Sequence, residues 1–128
     1  MDIITKKQLN ILIQLAEADK HFAKVEREMI FKIASDRNFP EAEVIQLIKN
    51  PEPIGTLGAL SEDQKFNYLK ACIELIFVDQ KVFESELIFS RGIAIKLGFK
   101  KNVVDYMIEK ITEMPGEELK KNVFRDFI

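Results

Sequence analysis

Displacing the chain by 60 residues lays residues 9–48 over residues 69–108 without a gap, and ten of those forty positions are identical. They are Leu9/Leu69, Ile13/Ile73, Leu15/Leu75, Asp19/Asp79, Glu26/Glu86, Ile33/Ile93, Ala34/Ala94, Phe39/Phe99, Val44/Val104 and Ile48/Ile108. Ordinary composition supplies about two or three such matches by chance. The residue types constrain the fold more than their number does. Seven identities are aliphatic or aromatic at helical core spacing, one is a small Ala pair, and the two charged ones repeat an Asp-x6-Glu spacing. Asn38 also falls on Gly98, and both residues suit the left-handed conformation in which many helices end. A solenoid unit runs to ~20–50 residues, shorter than this one. The expected architecture is therefore two three-helix halves packed across a pseudo-twofold axis, followed by a tail. The fold class is all-α.

Local patterns place about seven helices. Leu9, Leu12, Ile13 and Ala16 sit at i, i+3, i+4 and i+7, which predicts an amphipathic helix over residues 5–18. A second helix carries Val25, Met29, Ile33 and Ala34 and stops near Asn38. A third, over 41–49, follows Pro40, where a missing N–H is tolerated. Residues 50–60 hold Pro51, Pro53, Gly55 and Gly58 and read as a linker. Ser61 and Gln64 have capping-box spacing and start a long helix to Val78, with Leu69, Cys72, Ile73, Ile76 and Phe77 on its buried stripe. Further helices end at Gly98 and at Met114-Pro115-Gly116, and a last one is expected over 117–128. Gly92 interrupts a strongly helical segment, which implies a close helix crossing there.

Composition excludes several function classes. Nineteen Lys plus Arg against 21 Asp plus Glu leave a formal charge of −2, without the basic footprint of a nucleic-acid binder. Apolar runs such as Leu75-Ile76-Phe77-Val78 fall far short of the ~20 residues of a spanning helix, so no direct membrane insertion is expected. The N-terminal order is not that of a signal peptide, and a lone thiol, Cys72, suits a reducing compartment. A cytoplasmic location is expected. With 47% hydrophobic residues, the 128-residue chain can bury a core as one domain spanning 1–128 without disulfide or metal.

The string Leu15-Ala16-Glu17-Ala18-Asp19 with Glu26, repeated as Leu75-Ile76-Phe77-Val78-Asp79 with Glu86, resembles the tellurite-resistance TerB-like family. That family's signature is an apolar helix end, Asp-Gly, then a Glu early in the next helix. Here Lys20 and Gln80 stand where the family has Gly, and Ala23 and Phe83 where it has a small hydroxyl residue. The resemblance extends to the N-terminal domain of membrane-anchored J-domain co-chaperones. It implies a small, non-enzymatic helical domain that binds other proteins, with metal binding through acidic residues.

Three readings of the paired acids stay open. Asp19, Glu26, Asp79 and Glu86 can meet across a pseudo-twofold and hold Ca²⁺ or Mg²⁺, which take six or more oxygens with water completing the shell. They can instead cap turns and helix starts, since Glu at the third helical position reaches back to the N-cap amide. They can also form an acidic surface for a partner. Capping asks least of the chain, and no cofactor is required. The segments are not EF-hands, because the ligands at loop positions 3 and 5 and the Gly at 6 are missing. His21, the sole histidine, lies among lysines, and Cys72 lies on a buried stripe, so neither is expected to act as base or nucleophile. Phe124, Phe127 and Ile128 end the chain with large apolar side chains that must be covered by the body or by another molecule. They mark the expected contact for a homodimer or another protein partner.

Overall fold

The computed structural model describes residues 2–18, 22–78 and 82–128. Among these the chain forms seven helices and no strand: α1 (Ile3–Ala16), α2 (Lys24–Asp36), α3 (Glu41–Lys49), α4 (Glu62–Val78), α5 (Glu84–Lys96), α6 (Val103–Lys110) and α7 (Gly116–Asp126). The molecule is an all-α bundle. No described helix is long and apolar enough to cross a membrane.

Helix α1 starts two residues before the position the apolar spacing predicts, because Asp2 caps it. The Asp2 carboxylate accepts the N–H groups of Ile4 and Thr5 at 3.0 and 3.2 Å. The Thr5 hydroxyl, by its hydrogen bond, holds that carboxyl below its ordinary pKa. Further along, α4 opens with the predicted capping box, Ser61 N–H donating to Gln64 Oε1 at 2.9 Å and Gln64 N–H to Ser61 Oγ at 3.1 Å. Asn38 and Gly98 both take positive φ, 55° and 96°. After each, the N–H of a buried phenylalanine closes the helix end, Phe39 onto Ala34 O at 2.8 Å and Phe99 onto Ala94 O at 2.9 Å.

Helices α1 and α4 lie against each other at the centre and are buried around most of their circumference. This is why α1 is less cleanly amphipathic than its spacing implies: Thr5, Gln8 and Asn10 lie on its polar side and are buried as well. Helices α2 and α3 pack on α1, α5 and α6 pack on α4, and across the centre α2 touches α4 while α5 touches α1. One continuous apolar core results. At ~1.5–3 kcal/mol for each large aliphatic side chain removed from water, the pair Leu9–Leu69 and its neighbours Ile13, Leu15, Ile73 and Leu75 stabilise it strongly.

The 50–60 segment joins α3 to α4 without a helix and is packed down, since Leu57 and Leu60 enter the core and Asn10 holds it by two hydrogen bonds. One expectation needs correction, the crossing at Gly92. Among the described residues no helix crosses Gly92: a Cβ built there meets nothing within 4 Å, and the residue is exposed.

Candidate functional site

The two glutamates of the repeated motif occupy the same local position. Glu26 and Glu86 are each the third residue of a helix, α2 and α5, and both are buried. Glu26 Oε1 accepts the Ala23 N–H at 3.0 Å, and Glu86 Oε1 accepts the Phe83 N–H at 3.3 Å. Each is half of a capping box, since Ala23 and Phe83 carry no side-chain acceptor to return the bond. Asp19 and Asp79, the other halves of the motifs, and His21 lie outside the described residues. Among the described residues no three His, Cys, Asp or Glu side chains gather as a metal site.

Cys72 is fully buried in α4, and desolvation pushes its thiol up to about 12. A thiol there stays protonated and out of reach of any substrate, and it fills the core like a small apolar side chain.

The C-terminal aromatics face the body. Phe124 lies against Phe99 with ring centroids 5.2 Å apart, and Phe127 against Tyr106 at 4.8 Å. The Lys100 N–H donates to Phe127 O at 2.6 Å, and Lys120 pairs with Asp63 to pin α7 to α4. Of the three residues expected at an interface, Phe124 and Phe127 are partly buried and Ile128 is exposed.

A feature outside the repeated motif lies between α1 and residues 52–57. A crevice of about 230 Å³ opens there, with Ile11, Ile54 and Leu57 among its apolar walls and Lys6 and Lys7 at its edge. Asn10 builds it: its Nδ2 donates to Glu52 O at 2.9 Å while its Oδ1 accepts Glu52 N–H at 3.0 Å. Gln14 Nε2 adds a 2.7 Å bond to the same carbonyl. Lys6 Nζ meets the Glu52 carboxylate at 2.9 Å, and that hydrogen bond raises the pKa of the ammonium. Ile3, 65% exposed, forms an apolar lip, and Lys7 is exposed beside it. Two other depressions, one over α2 and one between α4 and α7, are wider and shallower.

The crevice offers apolar contact and ammonium groups without a paired nucleophile and base; its polar side chains are Lys6, Lys7, Asn10 and Glu52. Comparison of the chain with protein-family models, curated proteins and solved structures gives no match.

Proposed function

We propose that this chain is a non-catalytic, TerB-like protein-binding domain that works in the cytoplasm, and that its recognition site is the crevice between α1 and residues 52–57. The observation that carries the reading is the crevice itself, an apolar slot rimmed by Lys6 and Lys7 and held open by the Asn10–Glu52 clamp. At about 230 Å³ it is smaller than the roughly 300–1,000 Å³ of pockets that enclose a whole small ligand. It suits one or two apolar side chains of a partner, next to an acidic residue that meets Lys7, since Lys6 is held by Glu52. The TerB-like part of the proposal rests on the repeated motif and on two copies of one three-helix unit. Supporting it, α2 and α5 are both 13 residues long and start 60 residues apart, and both have the same Glu cap and the same phenylalanine closure. The test compares proteins captured from cell extract by the wild type and by Lys7→Glu with Ile54→Glu. A discrete set retained by the wild type and lost by the variant supports the site; identical sets sink it.

Divalent-cation binding is the second reading, favoured by the recurrence of a buried carboxylate at the start of the helix that follows each Asp. Asp19, Glu26, Asp79 and Glu86 supply its oxygens, with Ca²⁺ or Mg²⁺ as the ion. Chelator-treated protein is titrated with each ion while thermal unfolding is followed. A site of ~10 μM at ~1 mM ion adds roughly 2.7 kcal/mol and raises the midpoint by several degrees. A midpoint unmoved by either ion removes this reading and leaves the crevice reading untouched.

A further inference from the structure

The outer face of α5 is apolar where its counterpart is not. Ile88 and Ile95, 60% and 58% exposed, flank the exposed Gly92 on one side of the helix. Sixty residues earlier, the same positions of α2 hold Glu28, Lys32 and Ser35, all exposed and polar. The helical unit therefore folds with a polar face at these positions, and nothing inside the molecule calls for the apolar one. Nor does packing call for the glycine, since a Cβ at Gly92 meets nothing. A face of this shape, two large aliphatics with a notch between them, fits another helix crossing at the notch.

Charge says which helix. Along the same stripe Glu84, which also lies 4.0 Å from Arg91 of its own helix, is at the N-terminal end of α5 and Lys96 at its C-terminal end, and both are exposed. We propose that α5 pairs with α5 of a second copy of this chain, antiparallel and crossing at Gly92. With a rise of ~1.5 Å per residue, Ile88 then lies level with Ile95 of the other copy to within about 2 Å. Glu84 lies about 6 Å along the axis from Lys96 of the other copy, within the reach of a lysine side chain. The contact is isologous, so each apolar pair and each ion pair forms twice. A parallel pairing would set Glu84 against Glu84 and Lys96 against Lys96. A stable dimer buries about 800 Å² on each partner, more than two isoleucines supply, so the association is weak and concentration-dependent. The contact is separate from the α1 crevice and stands or falls without it.

Sedimentation velocity of the full chain, from low micromolar to millimolar concentration, reads the association. The wild type is expected to pass from monomer to dimer, while Ile88→Lys with Ile95→Lys stays monomeric with an unchanged circular dichroism spectrum. Glu84→Lys weakens the dimer several-fold, and adding Lys96→Glu restores it. A wild type that stays monomeric at millimolar concentration overturns the proposal. So does a dimer that survives the double lysine variant, including one that is lost only when Ile128 is removed.

Discussion

Glu86 and Tyr68 each join a buried polar group to the backbone, and substitution separates that role from any other. Replacing Glu86 by Ala removes a buried acceptor from a helix start, with an expected loss of ~1–2 kcal/mol in urea unfolding. Glu86→Gln keeps an acceptor for the Phe83 N–H and is expected to recover part of that loss. A Gln variant no more stable than Ala would mean that accepting the Phe83 N–H is not what the fold uses Glu86 for. Tyr68 donates its hydroxyl to Ile4 O and is buried between α1 and α4. Burial pushes its phenol from 10.0 up to about 12, with the Asp2 carboxylate adding to the shift. A raised folded-state pKa means that the phenol's contribution to stability is whole below pH 10 and is lost as pH rises towards 12. Phenolate absorbance and helical circular dichroism should therefore change together in that window. Ionisation of Tyr68 near pH 10 with the helices intact would contradict the burial.

Two glycines of α5 and its end separate two meanings of the same residue. Gly98 has φ of +96°, a region that L side chains rarely adopt, so Gly98→Ala is expected to destabilise by about 1 kcal/mol or more. Gly92 is mid-helix with open space beside it, so Gly92→Ala is expected to stabilise the monomer by up to ~1 kcal/mol. Thermal unfolding at micromolar concentration checks both, and equal signs would contradict this assignment. Helix boundaries were legible from apolar spacing and caps, because Ser61, Asn38 and Gly98 act on neighbours three to five residues away. The start of α1 was not, since Asp2 caps ahead of the apolar stripe. The crossing expected at Gly92 failed because a helix-interior glycine reports a need for space without saying whether the neighbour lies in the same molecule.

Across the whole molecule, α1 and α4 form a central pair, and each outer pair of helices covers one of them while reaching across to the other. The all-α class was legible because a shift of 60 residues matched core positions, and those positions are buried: Leu9, Ile13 and Leu15 with Leu69, Ile73 and Leu75. The crevice was not legible, because it depends on Asn10 finding a backbone 42 residues away, and no local pattern encodes such a pairing. The half-buried Phe124 and Phe127 show the same limit: an apolar chain end reads alike whether its own body or another molecule covers it. Photo-crosslinking inside cells probes the crevice most directly, with a benzophenone side chain placed at Lys7 and, as a control, at the exposed Lys32 of α2, which is not among the crevice residues. The expected result is a discrete protein adduct from position 7 that disappears with Ile54→Glu, and none from position 32. No adduct at position 7, or the same adducts from both positions, would contradict a partner-binding crevice.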